Sequence, residues 1–156
     1  MTEEKPLNDE WTFWFHLPHD TNWSLKSYTR LCTVNTVEGL VRVVSCIESI
    51  VPNCMIFMMK GDITPLWEDP ANAGGGAYSY KISENVSVNF WNTLLFLVAG
   101  VTYISDENSA RINGVTISPK KNFHIIKVWM AKGEILKVLN DEIGIAHEGR
   151  VFTPFT

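Results

Sequence analysis

A chain of 156 residues, of which 46% are hydrophobic and 19% are charged, is long enough to form one compact domain with a sizeable core. Its formal net charge of -4 argues against the class of proteins that coat nucleic acid through a basic surface, because such binding depends on many phosphate contacts. Any nucleic-acid partner must therefore be held at a local site.

Strand-like and helix-like runs alternate along the chain in a pattern typical of an α+β protein. The first helix should begin at a capping box formed by Asn35 and Glu38. The segmentation predicts one domain, residues 1–156, containing a sheet with helices on one face. The predicted strands are 11–15, 27–34, 55–60, 77–82, 112–118, 123–130 and 150–153, and the predicted helices are 36–50, 88–98 and 134–143.

The sequence shows no pattern for secretion, membrane insertion, disulfide bonding or metal binding. Cys32, Cys46 and Cys54 are odd in number and lack CxxC spacing, so a reducing compartment is the simpler interpretation. Residues 1–8 are polar and are expected to be flexible, and no apolar run approaches the ~18 residues that a membrane span requires. We expect a soluble, cytoplasmic monomer without cofactor or membrane partner, and a nuclear pool is left open.

Two tryptophans lie in predicted loops, where no apolar periodicity requires a large ring. Trp23 follows the turn-rich stretch 16–22, and Trp67 lies in the proline-flanked stretch 63–70. Either ring alone could be buried beneath its own loop. Together the two rings could hold a flat base, since stacking contributes about 1 to 3 kcal/mol per base. A positively charged base such as 7-methylguanine would gain a further cation–π attraction of up to about 2 kcal/mol.

Glu68, next to Trp67, could read the edge of such a base. A carboxylate can accept two hydrogen bonds from the N1–H and N2–H groups of guanine, which adenine does not offer. In isolation Glu68 would be an ordinary surface glutamate. Its position beside a stacking candidate favours guanine recognition.

Three lysines could bind the phosphates of a capped nucleotide. Lys120 and Lys121 lie on a predicted hairpin turn, and Lys127 precedes Trp129 by two residues on a strand. Residues two apart on a strand point to the same face, so Lys127 and Trp129 could contact the same ligand. The alternative is that these lysines only keep the hairpin soluble.

Motifs for catalysis are absent from the sequence. The four histidines show no HExxH spacing, no Gly-x-Ser-x-Gly elbow occurs, and Gly74-Gly75-Gly76 lacks the Gly-Lys-Ser/Thr of a phosphate loop. The residues therefore predict a binding protein rather than an enzyme.

Taken together, these residues resemble the eukaryotic translation initiation factor 4E family, the cytoplasmic proteins that bind the cap of messenger RNA. The likeness extends over nearly the whole chain and is most specific in the loop Pro65-Leu66-Trp67-Glu68-Asp69. The other matching positions are 6–7, 11–15, 22–23, 35–38, 63–64, 75–76, 91, 93–95 and 129.

The resemblance implies a curved antiparallel sheet backed by three helices, with the cap on the concave face and protein partners on the helical back. It implies that Trp23 and Trp67 stack on the base and that Glu68 reads guanine. It places Trp129 at the N7-methyl group.

The phosphate-binding positions of the family are only partly kept in this chain. Lys120 takes the place of an arginine, and a family lysine falls on Ile125, for which we expect Lys127 to substitute. Ala77 replaces an arginine that helps to hold the glutamate and the phosphate loop in the family.

The partner face also departs from the family pattern. Val41 replaces the tryptophan that anchors the helical motif of initiation factor 4G and of the 4E-binding repressors, and Asn92 replaces a leucine. The retained partner-binding positions are Pro6, Leu7, Val37 and Leu95. Three hypotheses follow: a cap-binding factor in translation initiation, a cap-binding repressor or decoy that does not engage factor 4G in the usual way, and an enzyme of cap metabolism such as a hydrolase, for which we expect no activity.

Overall fold

The computed structural model describes residues 3–102, 106–133 and 150–155. Its centre is a curved sheet of seven antiparallel strands in the spatial order β2-β1-β3-β5-β6-β4-β7. The strands are β1 (Pro6–His16), β2 (Thr29–Thr36), β3 (Met55–Lys60), β4 (Gly76–Ser83), β5 (Ile112–Pro119), β6 (Phe123–Met130) and β7 (Arg150–Pro154).

Three α-helices and one short 3-10 turn accompany the sheet within the described residues. The helices are α1 (Val37–Ile47), α2 (Ser87–Ala99) and α3 (Asp106–Ser109), and the 3-10 turn is Leu25–Ser27. The predicted α+β class and antiparallel sheet are confirmed. The helix predicted over 134–143 lies outside the described residues. No helix in the described ranges has the length and hydrophobicity needed to cross a bilayer.

The two faces of the sheet have different neighbours. Phe13, Met58, Val115, Val128 and Tyr78 are paired across five strands and point to the side covered by α1 and α2, where the main core lies. Because side chains alternate along a strand, the next row points to the opposite side. That row is Trp14, Phe57, Thr116, Lys127 and Ser79, and it contains polar groups.

The start of α1 differs from the predicted capping box. Thr36, not Asn35, is the N-cap residue, and its hydroxyl accepts a hydrogen bond from the N–H of Gly39 at 3.0 Å. The carboxylate of Glu38 instead accepts a hydrogen bond from the backbone N–H of Lys5. The prediction was wrong by one residue because threonine and asparagine are both good N-caps and adjoin here.

The flexibility predicted for residues 1–8 stays a prediction, and the described part of this segment contacts β2 and α1. Pro6 pairs with Thr36 at the end of β2, and Glu4 forms an ion pair with Arg42 of α1 at 2.6 Å.

The proposed partner residues are separated by the fold. Val37 and Val41 are exposed on α1, Pro6 is exposed, and Leu7 is partly buried against the core. Leu95 has a relative exposure of 0%, which contradicts its predicted place on a partner surface. The buried positions of α2 recur at helical spacing, and Leu95 lies within that stripe facing the sheet.

Candidate nucleotide-binding site

A cavity of about 470 Å³ opens on the face of the sheet opposite α1 and α2. Of the residues predicted to form the ligand site, all but Lys121 line this cavity; they are Trp23, Trp67, Glu68, Lys120, Lys127 and Trp129. Lys121 is exposed on the turn between β5 and β6. The fold thus brings together residues from two loops, from the turn between β5 and β6, and from strand β6.

Trp23 forms one wall and is supported from behind by a histidine. The ring of His16 is parallel to the indole, with centroids 4.2 Å apart and an interplanar angle of 7°. His16 is fully buried, whereas Trp23 is 50% exposed. His16 is not part of the cavity lining, so we infer that the free face of Trp23 is the one turned toward the cavity.

The same histidine connects the two ends of the loop that carries Trp23. Its Nδ1 lies 2.8 Å from the carbonyl oxygen of Leu17, and its Nε2 lies 2.8 Å from the carbonyl oxygen of Asn22. Whichever nitrogen carries the hydrogen can donate it to the loop backbone. The side chain of Asn22 also accepts a hydrogen bond from the N–H of Ser24, so polar contacts on both sides of Trp23 define its position.

Trp67 and Glu68 lie on a loop that is shaped by the next residue, Asp69. The Asp69 carboxylate accepts hydrogen bonds from the N–H and hydroxyl of Thr64, at 2.8 and 2.7 Å, and from the N–H of Ala71 at 2.9 Å. Burial acts to raise the pKa of Asp69, but these hydrogen bonds outweigh it and lower the pKa. The ionised carboxylate therefore stabilises the loop.

Two asparagines attach this loop to the sheet. The side-chain amide of Asn72 donates to the carbonyl oxygens of Thr64 and Leu66, at 3.2 and 2.8 Å. Asn113, on β5, donates to the carbonyl oxygen of Ala71 at 2.8 Å and to the Asn72 side chain at 3.1 Å. Both asparagines are buried, and sequence reasoning missed them because neither belongs to a recognisable motif.

Phe155 supports the second wall. Its ring stacks on Trp67 with centroids 5.4 Å apart and an interplanar angle of 24°, and it contacts Trp129 at 4.9 Å. Its backbone N–H donates to the carbonyl oxygen of Gly75, where a side chain would clash with the carbonyl oxygen of Met130. Trp67 is 49% exposed and lines the cavity, whereas Phe155 is buried and does not line it.

Ala77 belongs to the same buried aromatic cluster as Trp129 and Phe155. By the resemblance, the family carries an arginine where this chain has Ala77. The small side chain of Ala77 is almost completely buried. A long charged side chain here would compete for space with the two rings. The aromatic support for Trp67 therefore occupies the region that an arginine would need.

Tyr28 is a lining residue that the sequence analysis did not identify. Burial, together with the negative charge of nearby Glu68, raises the pKa of Tyr28 to about 12. Its phenol is therefore neutral at physiological pH, and it packs edge-on against Phe57 with centroids 5.4 Å apart. The cavity thus combines an aromatic slot with a carboxylate and a neutral hydroxyl.

The other end of the cavity is cationic. Lys127 is half-buried, and its pKa is lowered by burial and, to a smaller extent, by the positive charge of Lys120. Lys127 and Trp129 both line the cavity, which confirms the predicted shared face. The hydroxyls of Thr116 and Ser118 line the same end, so an anion placed there would meet two cations and two hydrogen-bond donors.

Comparison with known sequences gives one consistent result. The family model described as Eukaryotic initiation factor 4E matches residues 6–146. Initiation factor 4E of Saccharomyces cerevisiae is 29% identical over 131 residues, covering 80% of this chain and 61% of the relative. Initiation factor 4E-2 of Schizosaccharomyces pombe is 33% identical over 131 residues, covering 80% and 53%. The chain thus spans about three fifths or less of the length of these curated relatives.

Solved structures show the same fold. Schistosome initiation factor 4E, complexed with m7GpppG and 4E-BP, superposes with a TM-score of 0.75 at 25% identity, covering 84% of this chain and 74% of that one. The Ascaris suum protein eIF4E-3, complexed with the m7G cap, gives a TM-score of 0.81 at 17% identity over 99% and 93% of the chains, which supports the fold alone. The predicted resemblance is confirmed, and the chain belongs to the eukaryotic initiation factor 4E family.

Proposed function

We propose that this chain binds the 7-methylguanosine 5′ cap of messenger RNA and acts in translation initiation. The observation that carries the proposal is the pair of half-exposed indoles, Trp23 and Trp67, which line one cavity beside Glu68 while each is backed by a second ring. Family membership and the cap complexes of structural relatives support the same function.

The base would lie between the indoles of Trp23 and Trp67. Methylation at N7 gives guanine a delocalised positive charge, so stacking of about 1 to 3 kcal/mol is joined by a cation–π attraction of about 0.5 to 2 kcal/mol. Glu68 would accept hydrogen bonds from the N1–H and N2–H edge and neutralise part of the charge. Trp129 would cover the methyl group from the sheet.

The phosphates would extend toward Lys127 and Lys120. The net charge of -4 gives the protein no general attraction for polyanions, so this local pair of lysines provides the charge complementarity. Phosphate binding would also remove the repulsion between the two ammonium groups. Because the chain belongs to a family of translation initiation factors, we propose a binding factor and not an enzyme.

A titration of tryptophan fluorescence with 7-methyl-GTP tests the proposal. We expect saturable quenching, and we expect unmethylated GTP, which has the same phosphates, to bind much more weakly. Trp67→Ala and Glu68→Ala should each abolish retention on a cap-analogue resin. Phe96→Ala, which removes an exposed ring from the helical side, is the matched control and should bind normally. Equal retention of all variants would overturn the proposal.

A second candidate function is a cap-binding repressor or decoy. It is favoured by the exposed position of Val41, which is 46% exposed but offers much less contact area than a tryptophan, and by the burial of Leu95. A titration with a peptide containing the 4E-binding motif of factor 4G separates the two functions. Binding of the peptide supports an initiation factor. The decoy is supported if the protein binds the cap but not the peptide, and if Val41→Trp restores peptide binding.

A further inference from the structure

The face of the sheet that carries the cavity continues beyond it, toward the turn between β5 and β6. Strands β4 and β6 pair without a register shift, so Trp129, Lys127, Ile125 and Phe123 follow one another on the same face of β6. Their partners on β4 are Ala77, Ser79, Lys81 and Ser83, in the same order. Phe123 and Lys81 therefore lie on the cavity face, past the cationic end.

Phe123 and Lys81 contact each other. The ammonium nitrogen of Lys81 lies 4.4 Å from the centre of the Phe123 ring. The ring is partly exposed and Lys81 is exposed. Among the described residues no carboxylate forms an ion pair with Lys81, so no acidic side chain there competes with a phosphate for its charge. The exposed Lys121, at the adjacent turn, adds a second cation.

We propose that Lys81, Phe123 and Lys121 form a binding surface for the first nucleotides that follow the cap in a capped RNA. The inference rests on the proposed cap-binding function. With the base beside Trp129 and the phosphates at Lys127, the nucleic acid leads along β6 toward Phe123. Phe123 lies four positions from Lys127 along the strand, which corresponds to about 13 Å.

The chemistry of this surface suits RNA of variable sequence. An aromatic ring stacks on any base, and lysines contact phosphates without reading bases, so the surface would accept whichever nucleotides follow the cap. Neither Phe123 nor Lys81 lines the cavity, so they would add affinity for a capped strand without changing affinity for the cap itself.

The experiment compares the dinucleotide m7GpppG with a capped oligonucleotide, m7GpppGAAAA, on the full chain. We expect the wild-type protein to bind the oligonucleotide more tightly than the dinucleotide, with a steeper salt dependence because additional phosphates are contacted. Phe123→Ala should remove at least about fivefold of that gain, as expected for one lost stacking contact. Lys81→Gln should flatten the salt dependence. Neither change should alter m7GpppG affinity.

Matched controls come from the helical side of the protein. Phe96→Ala and Lys5→Gln remove an exposed ring and an exposed cation there, and both should keep the full oligonucleotide gain. If wild type binds m7GpppG and m7GpppGAAAA equally, the inference is overturned while cap binding stands. If Phe123→Ala weakens both ligands by the same factor, the inference is also overturned. Failure of m7GpppG itself to bind would overturn the proposed function as well.

Discussion

The imidazole of His16 lies parallel to the indole of Trp23, with ring centroids 4.2 Å apart. Phe155 supports Trp67 in the same way on the other side of the cavity, at 5.4 Å. A base bound between the two tryptophans would therefore contact two indoles that are each backed by a second ring. Fixing both indoles before the ligand arrives lowers the entropic cost of binding.

His16→Ala should weaken binding of 7-methyl-GTP by about 2- to 12-fold, because holding a side chain that is otherwise free costs about 0.5 to 1.5 kcal/mol. The reason is that Trp23 would lose both its supporting ring and the two loop carbonyl contacts. His16→Phe keeps a ring behind Trp23 and should retain more affinity than His16→Ala. Fluorescence titration measures the affinities.

His19→Ala is the control for His16, since His19 is exposed in the same loop. It should bind like the wild-type protein. A finding that His16→Ala and His16→Phe lose affinity equally would show that ring stacking behind Trp23 contributes nothing.

Phe155→Leu should reduce affinity for 7-methyl-GTP while leaving the protein folded. Leucine keeps most of the buried apolar surface but cannot stack on Trp67, so the indole would sample more orientations. Titration combined with urea unfolding separates the two effects. The idea fails if the affinity of Phe155→Leu falls only in proportion to its unfolded fraction.

The sequence predicted those parts of the site that depend on neighbours in the chain. Trp67 and Glu68 are adjacent, and Lys127 and Trp129 share a face because strand side chains alternate, so local patterns were sufficient. The supporting rings were missed for the opposite reason. The contact of Phe155 with Trp67 depends on the pairing of β7 with β4, and the residues around Phe155 in the sequence do not indicate it.

Leu95 shows the limit of arguing from resemblance. Leu95 was assigned to a partner surface because its residue type matches the family. Whether its side chain faces the sheet depends instead on the rotation of α2 about its own axis. Leu94 and Leu95 are both fully buried, so the face of α2 that packs on the sheet includes both side chains. Trp11 and Trp91 are buried because the strand and the helix that carry them turn these side chains toward the core.

Asp69→Asn should destabilise the protein by about 1 to 2 kcal/mol at pH 7, because hydrogen bonds to a buried or charged acceptor contribute about this amount. The pKa of Asp69 is lowered in the folded state, so its stabilising effect is present above the ordinary aspartate pKa of about 3.9 and is lost as pH falls through the folded-state value. Urea unfolding between neutral and strongly acidic pH measures this dependence.

The difference between wild type and Asp69→Asn should therefore disappear in acid. Asp62→Asn, an exposed carboxylate at the start of the same loop, should cost little at any pH. If Asp69→Asn keeps the acid dependence of the wild-type protein, the loop is not held by the ionised carboxylate.

Lys127→Met should stabilise the protein slightly while weakening phosphate binding. The pKa of Lys127 is lowered by burial and by Lys120, so the charged form costs stability at neutral pH, a cost that declines as pH rises through the folded-state pKa. Removal of one charge-assisted contact, about 1.5 to 3 kcal/mol, should lower affinity for 7-methyl-GTP about 10- to 150-fold. Affinity for the 7-methylguanosine nucleoside should not change. The control is Lys121→Met, which lies outside the cavity and should leave both affinities unchanged. If Lys127→Met loses the same affinity for the nucleotide as for the nucleoside, Lys127 does not bind the phosphates.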